Sequence, residues 1–220
     1  MIKKSEETTM KKTTTLQVIL TVVFVSAMLI SNIITTKQLQ FPFGITMTGA
    51  IVIFPITYIL SDVFSECYGY RWSRITCYLA FAMNLLMVGV FTLTINLPAP
   101  SYWGNQEAYQ TVLGSAPRVL VSSLFAYVIG DFANDKIFQK MKQKHKHDSE
   151  GFSLRAILSS IAGNFVDSFI FLPLAFFGQM PVKTLAVMCI SQVGLKTLYE
   201  TIMLPMTNLT VRMVNKYERN

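Results

Sequence analysis

Six stretches of apolar residues, at about 16–34, 45–64, 75–97, 112–133, 155–178 and 184–210, alternate with polar or charged segments along the chain. Each comes close to the roughly 20 residues that a helix needs to cross a bilayer core. Continuous runs of this kind exclude a transmembrane β-barrel, whose strands alternate polar and apolar positions. The pattern predicts an all-α integral membrane protein of six transmembrane helices. Pro55 in the second helix, Pro173 in the fifth and Pro205 in the sixth would free carbonyls that neighbours or a cavity must satisfy. On the fourth helix Ser122, Ala126 and Gly130 recur at four-residue spacing, a small-residue face suited to close packing.

Composition sharpens this picture. Of 220 residues, 52% are hydrophobic and 14% charged, against about 25% charged in an ordinary soluble domain. Six spans leave a basic N-terminus over 1–15, one transmembrane domain over 16–212 with a loop at about 134–154, and a tail over 213–220. The net charge of +7 suggests nucleic acid until the basic residues are placed. Fifteen of the 19 fall on one side of the membrane and only Lys37 and Lys183 on the other, with Arg118 and Lys196 inside spans. Basic loops mark the cytoplasmic side, so both termini are predicted there, and the charge reflects topology rather than a nucleic-acid surface. The first apolar run is too long for a signal peptide and lacks a small-x-small cleavage site, which predicts a retained anchor. Three helices on either side of the central loop allow two inverted three-helix halves, although no sequence similarity between the halves is visible.

Little in the chain speaks for catalysis. Cys67, Cys77 and Cys189 contain no close pair, which argues against a disulfide framework or a zinc knuckle. His145 and His147 stand among lysines in KQKHKHDSEG and read as a solvated loop rather than a metal site. HExxH, GxSxG and GxxxxGK[ST] patterns are absent, so no enzyme activity, metal or cofactor is expected, and the chain could not hydrolyse ATP alone.

Ionisable groups inside spans are costly unless paired or in contact with water, which makes each a functional candidate. Asp62 and Glu66 lie one turn apart near the cytoplasmic end of the second predicted helix. Arg118 enters the fourth, Asp131 and Asp135 lie near its end, and Asp167 is mid-membrane in the fifth. Gln192, Lys196 and Glu200 recur every fourth residue in the sixth, forming one stripe. Plainer readings pair Lys196 with Glu200, neutralise Asp62 with Arg71 or Arg74, and leave Asp131 and Asp135 at the interface. Polar groups from four helices, with Asn84 and Asn164 beside them, instead predict one lined cavity walled by Phe54, Tyr58, Phe171, Phe176 and Tyr199. Carboxylates, cations, amides and flat apolar faces suit a planar heterocycle, since a carboxylate accepts from ring N–H and amino groups while aromatic rings stack. Nucleobases, vitamins and other polar aromatics all fit that inventory. The outer loop from Asn96 to Arg118 reads either as a lid over an outward mouth or as an aromatic-belt loop.

Several motifs together resemble a known family. Phe54-Pro55, Tyr58, Ser61-Asp62, Ser65-Glu66, Tyr68-Gly69 and Arg74 are similar to the signature of the queuosine precursor transporters, also called the YhhQ or vitamin uptake transporter family. Leu113 to Arg118 (LGSAPR), Ala126-Tyr127, Asp167-Ser168, Phe171, Ala175-Phe176 and the set Gln192, Lys196, Pro205 extend the resemblance over roughly 30 to 210. It implies a prokaryotic inner-membrane importer of a 7-deazaguanine used for queuosine modification of tRNA. The cargo so implied is 7-cyano- or 7-aminomethyl-7-deazaguanine, the base queuine or its nucleoside. The substrate-binding set is then Asp62, Glu66, Asn84, Arg118, Asn164, Asp167, Gln192, Lys196 and Glu200, with Glu66 weighed below Asp62 and Asp167.

The expected partners are the small 7-deazapurine and the lipid bilayer, with a homodimer left open. An alternative machine keeps the binding function as the substrate-capture subunit of an energy-coupling-factor importer. It would need an ATPase module from other chains, docked for instance on the small-residue face of Ala27 and Ser31.

Overall fold

The computed structural model describes residues 13–144 and 151–218, with all of their side chains except those at 43, 131, 132, 134–144, 151–160, 200 and 204. The N-terminal lysines Lys3, Lys4, Lys11 and Lys12, the loop histidines His145 and His147, and the side chains of Asp131 and Asp135 lie outside the described residues. Helix α1 (Thr15–Ile34) starts at a capping box, in which Thr14 Oγ1 accepts from the Gln17 N–H and the Gln17 side chain accepts from the Thr14 N–H. Both orphan donors of that turn are thereby satisfied. A hairpin follows, with β1 (Gln38–Gln40) antiparallel to β2 (Thr46–Thr48) and Leu39 opposite Met47. Its turn carries Gly44 at φ 76°, a left-handed conformation that glycine adopts without a Cβ clash. A 3₁₀ turn over Gly49–Val52 leads into α2 (Phe54–Val63), and a π turn over Phe64–Tyr68 connects α2 to α3 (Tyr70–Asn96). The chain continues through α4 (Gln106–Leu113), α5 (Ala116–Lys144), α6 (Gly151–Phe176) and α7 (Val182–Glu218).

The second apolar run is not one helix. Over 45–64 it comprises β2, the 3₁₀ turn and the ten residues of α2, about 15 Å of helix at 1.5 Å per residue. Met47, Thr48, Gly49, Ala50 and Ile51 are all buried, so the return strand runs inside the protein. Extended backbone is tolerated in a membrane protein where protein surrounds it. The fold is therefore mostly helical rather than all-α. Pro55 sits in the first turn of α2, where its missing N–H would be unsatisfied in any case. Pro173 and Pro205, by contrast, lie inside α6 and α7.

Helix ends also differ from the ends of the apolar runs. Helix α5 continues past 133 to Lys144 and α7 past 210 to Glu218, because helix propensity persists where the hydropathy needed for lipid has ended. By length and composition, three stretches among the described residues can each cross a membrane, namely Thr15–Ile34, Tyr70–Asn96 and Gln106–Gly130. Leu85, Leu86 and Leu93 on α3 and Val121 and Phe125 on α5 are exposed on the outside, the arrangement that hydrocarbon requires.

Helices α5 and α6 make the most extensive interface. They run antiparallel, since Arg118 meets the end of α6 while Gly130 meets its middle. A Cβ on Gly130 would lie 3.2 Å from Asp167 Cβ and 3.3 Å from the Gly163 carbonyl, and Ser122 and Ala126 are buried on the same face. Small residues thus set the separation of these helices, as their spacing predicts. Ala27 and Ser31 are buried as well, so that face of α1 turns into the interior of this chain. The middle helices of the two halves differ in build, α2 having ten residues and α6 having 26.

Candidate functional site

A cavity of about 350 Å³ lies at the centre of the bundle, and α1, α2, α3, α5, α6 and α7 all contribute to its wall. Each helix does so through one face. On α1 the positions are Phe24, Met28, Ser31 and Asn32, followed by its C-cap Thr35; on α2 they are Phe54, Thr57, Tyr58 and Ser61, followed by Phe64 at the start of the π turn, both at the three- and four-residue spacing of a helical stripe. Helix α3 adds Ser73, Cys77 and Phe81. Asn164 and Asp167 from α6 stand with Gln192 and Lys196 from α7.

Lys196 and Asp167 form an ion pair across α6 and α7, with Nζ 2.5 Å from Oδ2 and side-chain exposures of 7% and 29%. Lys196 also lies 5.5 Å from the centre of the Phe54 ring, where the face of the ring attracts the ammonium. The carboxylate keeps acceptor capacity, because only Oδ2 is engaged among the described residues. One turn before Lys196, Gln192 is buried, and its Oε1 accepts no hydrogen bond among the described residues. The site therefore combines a charge-balanced carboxylate, amides and aromatic faces from Phe54, Tyr58 and Phe171. Phe176 packs edge-on against Phe171 at 6.4 Å, in a core cluster outside the cavity lining, and Tyr199 is also absent from the wall.

Of the nine substrate-binding candidates, Asn164, Asp167, Gln192 and Lys196 share the cavity wall. Asp62 and Glu66 are exposed and do not line it. The face of α2 at 54, 57, 58 and 61 turns inward, which leaves Asp62 about 100° further round the helix from Ser61, and Glu66 falls in the π turn. Asn84 lies one layer back, where its Oδ1 accepts from Asn32 Nδ2 at 2.5 Å. The side chain of Glu200 lies outside the described residues. Asn32, Ser31, Thr35 and Tyr127 are wall residues that the charge-based reading overlooked. An amide within the apolar run of α1 was the available signal.

Arg118 has a different task from the one expected. Its Nε donates to the Leu174 carbonyl and its Nη2 to the Phe177 carbonyl, both at 2.7 Å. Those oxygens end α6 just after Pro173, where the last carbonyls have no intrahelical donors, and a cation there also complements the helix dipole. Arg118→Ala is expected to lower stability by about 1–2 kcal/mol, a figure reduced for the exposure of the guanidinium. Thermal unfolding of the purified variants checks this. Arg118→Lys should fall between wild type and Arg118→Ala, and equal stability of all three would remove the capping role.

One end of the bundle is tied by Glu218, which accepts from Thr14 Oγ1 at 2.6 Å and from Tyr68 Oη at 2.8 Å. Burial first, and then the hydrogen bond to Glu218, hold the Tyr68 phenol well above its ordinary pKa, so it remains a donor throughout the physiological range. Beneath this tie, Phe24 and Phe64 meet edge-to-face at 5.7 Å and close the wall between α1 and α2.

The sequence was compared with known proteins. The family model described as "Putative vitamin uptake transporter" matches residues 48–210. A protein of Bacillus subtilis (strain 168) named "Probable queuosine precursor transporter" is 26% identical over 190 residues, covering 86% of this chain and 82% of that protein. No solved structure matches. A match over most of the chain, on a helical fold with membrane-length apolar helices around a polar cavity, places this multi-pass membrane protein in the vitamin uptake transporter family.

Proposed function

We propose that this transporter imports a 7-deazaguanine precursor of queuosine, bound in the central cavity between α1, α2, α3, α5, α6 and α7. The observation that carries the reading is Asp167, an anionic acceptor held at the cavity wall by buried Lys196. A guanine-type ring offers adjacent ring N–H and exocyclic amino donors, which one carboxylate accepts side by side. Lys196 neutralises the acid while its second oxygen stays available, and Asn164 or Gln192 serves the ring carbonyl. Phe54, Tyr58 and Phe171 give the ring its apolar faces. A volume of about 350 Å³ is at the small end of ligand pockets and suits one fused ring system with a short substituent. The name of the Bacillus subtilis relative agrees with this cargo. Six membrane crossings, cytoplasmic termini and a prokaryotic inner membrane complete the proposal, on the asymmetry of basic loops.

Cys77 provides a direct test because it lines the cavity, whereas Cys189 is buried in the core. In a Cys67→Ser background, 7-aminomethyl-7-deazaguanine at ten times its Kd should slow alkylation of Cys77 about tenfold by occupancy. Biotin and riboflavin should leave the rate unchanged. Protection by a vitamin and not by any deazaguanine would overturn the substrate assignment.

A further inference from the structure

Asn32 and Asn84 form a buried pair whose amide orientations are set by the backbone. Asn84 is 1% exposed and its Nδ2 donates to the Ala80 carbonyl at 2.9 Å. Turning that amide over would set its oxygen against the carbonyl oxygen, so Asn84 can offer only Oδ1 to its neighbour. Asn32 must therefore present Nδ2 to Asn84, at 2.5 Å, which leaves Asn32 Oδ1 on the other side. That oxygen accepts no bond among the described residues. Nor does it belong to the occluded partnerless atoms, which are Thr76 Oγ1, Ser168 Oγ, Gln192 Oε1 and Thr197 Oγ1. Asn32 is 8% exposed and lines the cavity, so this oxygen opens into the cavity. Gln192 differs, since no hydrogen-bond partner among the described residues fixes which end of its amide faces inward.

The polarity of the wall thus becomes asymmetric. Asp167 on α6 and Asn32 on α1 are both acceptors, on helices from the two halves of the chain, and the second is locked against reversal. A ligand satisfying both needs N–H donors on two separate edges. We propose that Asn32, positioned by Asn84, is a specificity-determining residue whose Oδ1 accepts the pyrrole N–H of a deazaguanine free base. The cavity then selects bases over their N9-substituted forms, including nucleosides. This rests on the base-binding reading, with Asp167 taking the pyrimidine-ring donors. An acceptor of fixed sign discriminates by penalty, because a ligand lacking the donor leaves a desolvated oxygen unpaired.

The experiment measures Kd for 7-aminomethyl-7-deazaguanine and for its N9-methyl derivative by thermal stabilisation of detergent-purified protein, and compares their ratio among variants. Wild type should prefer the unsubstituted base. Asn32→Leu should cut that preference about five- to tenfold, from the loss of one hydrogen bond, with the N9-methyl ligand nearly unaffected. Asn84→Leu should reduce it similarly by letting the Asn32 amide reverse, a change of ligand preference that mere loosening of the fold would not produce. Because either single change leaves a buried amide unpaired, Asn32→Leu/Asn84→Leu serves as the variant that removes both partners and keeps the packing. An unchanged preference in the folded double variant, with wild type binding the base, overturns the role of Asn32 alone. Failure of wild type to bind any deazaguanine overturns the base-binding reading and this assignment with it.

Discussion

Asp167→Asn is expected to abolish uptake of the deazaguanine and to weaken its binding by about 100-fold or more, the effect of losing two hydrogen bonds to a charged acceptor. The same change removes the carboxylate that faces Lys196, whose side chain is only 7% exposed. Removing one member of a buried ion pair costs about 3–5 kcal/mol, whereas replacing both by apolar groups is often neutral. Stability and binding therefore separate in a defined way. Asp167→Asn should be less stable than wild type and unable to bind. Asp167→Leu/Lys196→Leu should recover stability and remain unable to bind. Thermal unfolding and ligand titration of both proteins distinguish these outcomes, and binding close to wild type in the double variant would remove the carboxylate from the site.

Gly49→Ala is expected to cost about 2–3 kcal/mol or more by steric overpacking, although it adds a single methyl group. The new Cβ would clash with the Ile34 carbonyl oxygen and lie 3.3 Å from that of Lys37. Both atoms belong to the backbone, and the Gly49 N–H already donates to the Lys37 carbonyl at 2.7 Å. No rotamer relieves the contact, so the return strand must withdraw from the end of α1. Thr48, Ala50 and Ile51, buried on either side, would move with it and disturb the entry to α2. Gly44→Ala is the informative comparison. That position has φ 76° but open space around it, so its cost is backbone strain of about 1–2 kcal/mol. Unfolding temperatures should fall in the order wild type, Gly44→Ala, Gly49→Ala, and a Gly49→Ala protein as stable as wild type would contradict the docking of the hairpin.

These two sites show where the information resides. Asp167 and Lys196 stand out in the sequence because a charge within an apolar run is costly wherever it lies. Their pairing does not stand out. The four-residue spacing of Lys196 and Glu200 points to a partner on the same helix, whose side chain lies outside the described residues; the contact of Lys196 with Asp167 on α6 is one that spacing along a single helix does not name. The separation of α6 and α7 decides that contact, and it exists only in the folded chain. Arg118 is similar, since a charge near a membrane helix indicates a need for a partner without naming one. Its partners are carbonyls 56 and 59 residues away.

The sequence by itself determined the environment of each segment. Hydropathy and run length predicted apolar helices where α1, α3 and α5 have membrane-length apolar stretches and α6 a shorter one, and the mid-run polar residues reported that some interior must be wet or paired. The tertiary structure alone decided backbone form and orientation. An apolar run such as 45–64 has the same hydropathy as a buried strand, a 3₁₀ turn or a helix, and only packing against α1 made it all three in succession. Likewise Asn32 is one amide in an apolar helix until Asn84 and the Ala80 carbonyl orient it. Transfer energies depend on what surrounds a side chain, while hydrogen bonds and close contacts depend on where a particular second group stands. That second position exists only once the chain has folded.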